Sequence, residues 1–227
     1  MPGTLYIVST PIGNLDDISF RAVKILKKVD LIAAEDTRIT KRILNKFNIG
    51  KKCLSYNNYN ENIKYTYFIS LLNENLNIAL VSDAGSPCIS DPGYKIVNAA
   101  RRRGINIVSI PGASSPIAAL SISGLPTDKF YFEGFLPKKK GRNKRFNYLN
   151  SLDCSIVIFE SPHRLKKTLK EIFDKLGNRV IAVCKELTKI HEKVFFGYLK
   201  DVLSEITDNN KGEYIIIVAN KKYMLDE

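Results

Sequence analysis

Short apolar, β-branched runs alternate with helical periods along the first half of the chain. Leu5 to Ser9 reads as a strand, and Ile18, Ala22, Ile25, Leu26 and Val29 then recur at helical spacing. Leu31–Ala34 is a second strand, followed by a polar helix over 39–47 and another helix over 61–73. Ile78–Val81 is a third strand, 94–103 a helix and 105–110 a fourth strand. Four strands separated by helices predict βαβ units and a mainly parallel sheet with flanking helices.

After Pro111-Gly112 the pattern changes. A helix over 115–123 leads to a strand at 130–133, and further strands follow at 155–159, 180–183, 194–198 and 214–219. Between them Leu165, Leu169, Ile172, Phe173 and Leu176 line one helix face. Three strands close together near the end predict antiparallel pairing, so this half reads as α+β with a mixed sheet. The expected domains are 1–114 and 115–227. No Pro/Gly/Ser-rich linker separates them, which predicts a shared interface.

The four exits of the first-half strands read Thr10-Pro11-Ile12-Gly13-Asn14, Glu35-Asp36-Thr37-Arg38, Ser82-Asp83-Ala84-Gly85-Ser86-Pro87 and Pro111-Gly112-Ala113-Ser114-Ser115. All lie at carboxyl ends of parallel strands, the edge where open α/β sheets bind ligands. One Gly- and Ser-bearing turn is ordinary loop chemistry. Four on one edge predict a pocket.

Composition narrows the class. The chain has 227 residues, 44% of them hydrophobic, and a formal charge of +12 from 35 Lys+Arg and 23 Asp+Glu. That apolar content suits a folded chain and excludes a disordered or low-complexity one. The longest apolar runs fall far short of the roughly 20 residues of a membrane span. The charge points to a polyanionic partner without choosing between nucleic acid and a membrane surface. Residues up to 114 hold 15 basic and 9 acidic side chains and the rest 20 and 14, so each half carries +6 and neither is a basic tail. Cys53, Cys88, Cys154 and Cys184 form no CxxC pair, and His163 and His191 are the only histidines. These features predict a reduced, metal-free protein. The opening Met1–Ser9 has no basic n-region, which predicts a cytoplasmic location without a signal peptide.

Neither GxxxxGK[ST] nor GxGxxG is present. A ligand with an adenosine but no phosphate therefore suits the exits better than an NTP or dinucleotide.

The strings Thr10-Pro11-Ile12-Gly13-Asn14-Leu15, Ala34-Glu35-Asp36-Thr37-Arg38, Val81 to Pro87 and Ser90-Asp91-Pro92-Gly93-Tyr94 occur in one order with Glu133-Gly134-Phe135-Leu136-Pro137. Glu160-Ser161-Pro162-His163-Arg164, Glu186-Leu187-Thr188-Lys189 and Lys211-Gly212-Glu213 continue the series. Together they cover nearly the whole chain and resemble the ribosomal RNA small-subunit methyltransferase I family, within the tetrapyrrole-methylase superfamily. The resemblance implies an α/β, two-lobed fold whose C-terminal lobe closes over the cleft. It implies a homodimer that transfers a methyl group from S-adenosyl-L-methionine to the 2′-hydroxyl of a cytidine in the decoding region of small-subunit rRNA, free or in the assembled subunit. No membrane or metal takes part.

On that resemblance Pro11, Ile12, Gly13, Asp83, Ala84, Gly85, Ser86, Pro87, Ile89, Gly112, Ser114 and Ser115 would hold the donor. Phe135, Leu136, Leu187, Gly212 and Glu213 would close over it. Two departures stand out. Ala113 replaces the proline that often follows Pro-Gly in the family. Asn57-Asn58-Tyr59-Asn60-Glu61 lacks the histidines often found before the Asn-Glu pair, so a histidine at that place cannot be the general base.

Methyl transfer to a ribose hydroxyl is an in-line displacement in which the hydroxyl must also lose its proton. Glu35, Arg38, His163, Arg164, Glu186 and Lys189 are the candidates for proton transfer and phosphate clamping. Asp36 joins Glu35 and Arg38 in a charged trio, which also fits a helix N-terminus. Glu160 with His163 and Arg164 also fits a helix cap, and Glu186 with Lys189 also fits a local ion pair. The run from Lys138 to Arg145 places Lys138, Lys139, Lys140, Arg142, Lys144 and Arg145 in eight residues without an acid. It reads as an exposed RNA contact. Rival readings are a same-fold enzyme acting on a tetrapyrrole or another small acceptor, and a non-catalytic RNA-binding module.

Overall fold

The computed structural model describes residues 1–207 and 211–225. The chain divides into two compact units, Met1–Ser114 and Ser115–Glu227.

In the first unit the strands are β1 (Leu5–Val8), β2 (Leu31–Ala34), β3 (Lys52–Ser55), β4 (Ile78–Val81) and β5 (Ile107–Ile110). The helices are α1 (Phe20–Lys28), α2 (Thr37–Lys46), α3 (Glu61–Asn73) and α4 (Tyr94–Arg102). The sheet runs β3-β2-β4-β1-β5, every pair parallel. Alternate residues of each strand serve opposite faces. Leu31, Ala33, Ile78 and Leu80 pack with α3 and α4 through Phe68, Leu72 and Ile96. Ile32, Ala34, Ala79 and Val81 pack with α1 and α2 through Ala22, Leu26 and Leu44. Both faces are covered, which is why these strands read as continuous apolar runs.

The sheet has five strands where the apolar runs predict four. The additional strand, β3, escapes the pattern because Lys-Cys-Leu-Ser is short, lies at the sheet edge and pairs on one side only, so neither apolar alternation nor a buried run marks it.

The second unit opens with α5 (Ser115–Ile122). Its strands are β6 (Phe130–Phe135), β7 (Ser155–Glu160), β8 (Val180–Lys185), β9 (Lys193–Tyr198) and β10 (Tyr214–Val218). They form a mixed sheet in the order β6-β7-β10-β8-β9. β6 and β7 are parallel; β7–β10, β10–β8 and β8–β9 are antiparallel. One face carries Ile156, Ile158, Ile181, Val183 and Ile216 against α6 (Arg142–Ser151), α7 (Leu165–Leu176) and α8 (Leu199–Glu205).

Helix α6 is an element that the sequence reading does not predict. It starts inside the basic run, after Gly141, and turns Phe146 and Leu149 into the core. Few apolar residues mark its buried face, so periodicity gives no signal there.

A bulge in β6 shapes the site that follows. The register shifts between Phe132 and Gly134, and Gly134 sits at φ 66°, a left-handed conformation that glycine adopts freely. Phe132 pairs with Val157 and Phe135 with Phe159, so the extra residue brings both phenylalanines to one face. Their rings meet Phe159 edge-on at 5.1 and 5.5 Å.

Candidate functional site

In the first unit β1 and β4 are adjacent, yet their crossovers leave in opposite directions, β1 toward β2 and β4 toward β5. That is the topological switch point of an open sheet, where a crevice forms outside the carboxyl ends. The two exits are laced together there. Thr10 and Gly85 exchange backbone hydrogen bonds at 2.9 and 3.0 Å, and the Ser9 and Ser86 hydroxyls lie 2.9 Å apart. Ser86 Oγ also donates to the Ala113 carbonyl at 3.4 Å, joining the exit of β5 to the others.

Pro11, Ile12 and Gly13 follow β1, Asp83 to Pro87 and Ile89 follow β4, and Gly112 and Ser114 follow β5. The structure therefore brings these predicted donor residues to one edge of one sheet; Ser115 opens α5 in the other unit. Gly13, Ala84, Ile89 and Gly112 are exposed, while Pro11, Ile12, Gly85 and Pro87 are buried supports. Cys88 and Ser90 hold positive φ angles of 72° and 63° in the β4 exit, the kind of strained backbone that collects at functional loops.

The edge is acidic. Asp36 N–H donates to Asp83 Oδ1 at 2.9 Å, and Asp83 N–H donates to Glu35 Oε2 at 3.3 Å. Burial pushes the Glu35 and Asp83 carboxyls up, despite the backbone hydrogen bonds that each accepts. Asp91, a residue outside the candidates that the sequence singles out, lies at the same edge. Burial, reinforced by the Glu35 charge, raises it to about 7. An aspartate between a strained loop and a Pro-Gly helix start, as in Asp91-Pro92-Gly93, is the sequence signal that marks it.

Arg38 is not a free clamp. Its guanidinium holds Asp36 through Nη2–Oδ2 at 2.6 Å, and that contact brings Asp36 down to about 2. Asp36 also caps α2 by accepting from Arg38 N–H.

In the second unit, β6, β7 and β8 end and β10 begins on one sheet edge, because Phe135 is level with Phe159 and Tyr214 is level with both Glu160 and Lys185. Phe135, Leu136, His163, Arg164, Glu186, Leu187, Lys189, Gly212 and Glu213 gather there. Two connected groups form. In one, buried Glu160 accepts from Ser161 N–H and Thr168 Oγ1 at 2.8 and 2.6 Å and pairs with Arg164 at 3.2 Å. Arg164 also donates to the Leu136 carbonyl at 2.8 Å. In the other, Glu186 Oε1 accepts from Lys189 Nζ at 2.9 Å and from Glu213 N–H at 2.8 Å. Burial opposes ionisation of Glu186, but these two donors outweigh it and hold the carboxyl below its ordinary value. Gly212, at φ 102°, packs so closely that a Cβ there would lie 2.6 Å from Glu186 Cγ.

Several predicted roles change. The Leu136 side chain is 1% exposed and belongs to the core, so only its backbone can face a ligand. Leu187 is likewise buried, whereas Phe135 and His163 are exposed. Within the basic run, Arg142 is buried, with its guanidinium on Glu171, Thr168 and the Pro137 carbonyl. Arg145 is held by Glu133 at 2.6 Å. Those two serve the fold, and Lys138, Lys139, Lys140 and Lys144 remain as the exposed cations.

The loops after β1, β4 and β5 contain hydroxyls, backbone groups and Asp83 but no Lys or Arg over 9–14, 82–87 and 111–115. That donor set suits a neutral adenosine and a cationic sulfonium and ammonium, and does not suit phosphates. S-Adenosyl-L-methionine, the methyl donor of the methylases described next, fits it.

Solved methylases share this architecture. Diphthine synthase superposes with a TM-score of 0.76 at 16% identity, covering 96% of this chain and 90% of the other. A cobalt precorrin-4 methyltransferase superposes with 0.70 at 20% identity, covering 95% and 94%. Residues 4–203 match the family described as Tetrapyrrole (Corrin/Porphyrin) Methylases. Sequence relatives are more specific. Ribosomal RNA small subunit methyltransferase I of Halalkalibacterium halodurans is 47% identical, covering 95% of this chain and 75% of that protein. The protein of the same name from Thermotoga maritima is 43% identical over 97% and 100%. The chain belongs to the tetrapyrrole methylases and, among them, to the ribosomal RNA small subunit methyltransferase I family.

Among the described residues no helix is long and apolar enough to cross a membrane, and no group of three or more His, Cys, Asp or Glu could hold a metal ion.

Proposed function

We propose that this protein methylates the 2′-hydroxyl of a cytidine in the decoding region of small-subunit rRNA, with S-adenosyl-L-methionine as donor. The observation that carries the reading is the match, end to end, to the Thermotoga maritima enzyme named for small-subunit rRNA. The exposed lysines 138–140 and 144 support an RNA substrate. A homodimer acting in the cytoplasm, on free rRNA or the assembled subunit, belongs to the same reading.

The donor supplies an electrophilic methyl group on a sulfonium. The exits of β1, β4 and β5 bind it: backbone groups and hydroxyls at Gly13, Gly85, Ser86, Gly112, Ser114 and Ser115 take the polar edges, and Asp83 takes cationic character. Ile89, exposed in the exit of β4, covers its apolar side. Glu35 and Asp91 hold the proton that leaves the ribose hydroxyl, since carboxyls raised toward neutrality are matched to that task. His163, which is exposed, contacts the RNA. Arg164, Glu186 and Lys189 act as positioning residues, because the hydrogen bonds and ion pairs of their side chains fix the loops around them.

The test is mass spectrometry of small-subunit rRNA from cells with and without the gene, joined to transfer of labelled methyl to rRNA, to tetrapyrroles and to protein acceptors in vitro. A ribose-methylated cytidine present only with the gene supports the reading. Methyl transfer to a small acceptor and not to rRNA would replace it with a same-fold alternative, and absent donor binding would leave an RNA-binding module.

A further inference from the structure

The bulge in β6 and the first turns of α6 enclose a cavity of about 460 Å³ lined by Glu133, Phe135, Pro137, Gly141, Lys144, Arg145 and Tyr148. Its floor is rigid. Glu133, whose side chain is 3% exposed, grips Arg145 through Nε at 2.6 and 2.7 Å. Arg145 Nη2 donates to Tyr131 Oη at 2.7 Å, and its guanidinium lies 5.6 and 5.2 Å from the rings of Tyr131 and Tyr148. The Arg145 charge is thus already engaged by Glu133 and two rings. Its role here is to hold Tyr148 in place.

What faces outward is different in kind. Tyr148, on the α6 face of the sheet, is 44% exposed, and Phe135 at the end of β6 is 58% exposed. Lys144 lines the cavity, is exposed and makes no ion pair among the described residues; Lys138, Lys139 and Lys140, also exposed, lie in the chain between the lining residues Pro137 and Gly141. Flat apolar surface beside unpaired cations is the pattern that binds single-stranded nucleic acid, where bases stack and phosphates are neutralised nearby. Folded duplex RNA would use the lysines but not the rings.

We propose that this cavity is a nucleotide subsite. It takes one unpaired RNA base from the strand that carries the methylated cytidine, stacked against Tyr148, with the adjoining phosphate on Lys144. The assignment rests on the rRNA reading above and deepens it. Gly141, at φ 81°, begins α6 and lines the cavity between the lysines 138–140 and Lys144.

The probe is a single-stranded oligonucleotide of the decoding-region sequence carrying 2-aminopurine at successive positions. Stacking quenches its fluorescence at one position in the wild-type complex. Tyr148→Ala abolishes that quenching and weakens binding roughly tenfold, the scale of removing one base–aromatic stack. Tyr148→Phe keeps both, and donor affinity measured by calorimetry stays within about twofold throughout. No quenched position, or wild-type affinity in a folded Tyr148→Ala, overturns the subsite. If Tyr148→Ala does not fold, Lys144→Glu, at an exposed lining residue, decides: it must weaken binding, and unchanged affinity overturns the proposal equally. Equal binding of an acidic peptide of matching charge would assign the cavity to a protein partner instead. Failure of the rRNA reading shows separately, as a wild-type enzyme that transfers no methyl to rRNA whatever its quenching.

Discussion

Arg142 places Nε 2.9 Å from Glu171 Oε2 and Nη2 2.8 Å from Thr168 Oγ1, tying the first turn of α6 to the middle of α7. Thr168 Oγ1 passes the network on to Glu160 Oε2 at 2.6 Å, so the most basic stretch of the chain is anchored to the base of the candidate site. Arg142→Ala removes a buried charge and leaves Glu171 and Thr168 without their partner. Because Glu171 keeps some contact with solvent, losing these charged hydrogen bonds costs about 1.5–3 kcal/mol. A drop of that size in chemical denaturation, with RNA affinity per folded molecule unchanged, is the expected outcome.

The four exposed lysines behave oppositely. Lys138, Lys139, Lys140 and Lys144 changed together to Ala leave stability within about 0.5 kcal/mol, as surface substitutions usually do. RNA affinity falls and its dependence on salt flattens, because every phosphate no longer neutralised by a lysine lowers the slope of log K against log salt by roughly 0.7 to 0.9. Filter binding from low to high salt measures both. An unchanged slope would remove these residues from the RNA surface.

How far the sequence reaches is clearest at these same residues. Arg142 and Lys144 are indistinguishable in a string of basic residues; what separates them is that α6 turns one onto Thr168 and Glu171 and the other to solvent, which only the packing of α6 on α7 decides. The strand exits are legible because Gly, Ser and Asp recur after each β-branched run, and parallel strands must put their exits on one edge. β3 is not, since an edge strand of four residues needs its neighbour β2 to exist at all. The pairing of Glu186 with Lys189 is visible as one of two readings. That Glu213 completes it from the position just before β10, more than twenty residues later, depends on the antiparallel register of β8 and β10.

Gly212→Ala tests that last arrangement. A methyl group at φ 102° would meet the Glu186 side chain at 2.6 to 2.8 Å, and the left-handed backbone adds strain of its own. The Glu186 carboxylate must move, releasing Lys189 and the Glu213 N–H. Stability falls by about 1–3 kcal/mol. If Gly212 and Glu213 contribute to donor binding, as the resemblance to the family implies, the affinity for S-adenosyl-L-methionine falls with it, and calorimetry on the folded fraction checks this. Reduced stability with unaltered donor affinity would confine the segment to a structural role.

Asp91 gives the pH dependence its direction. Its carboxyl is raised to about 7, so protein folded around the neutral acid loses stability as pH rises from the ordinary carboxyl range near 3.8 through 7. Asp91→Asn removes that charge. Because the group keeps some contact with solvent, the variant should gain on the order of 1 kcal/mol over wild type at pH 8, a difference that vanishes near pH 4. Catalysis runs the other way. A proton acceptor must be ionised, so methyl transfer at saturating donor should climb through pH 7 in the wild type and be low and flat in Asp91→Asn. The two profiles together distinguish the roles. A variant that is more stable at pH 8 and has lost the rising limb identifies Asp91 with proton transfer. One that is more stable but keeps the limb leaves that step to Glu35, whose replacement by Gln should then flatten it.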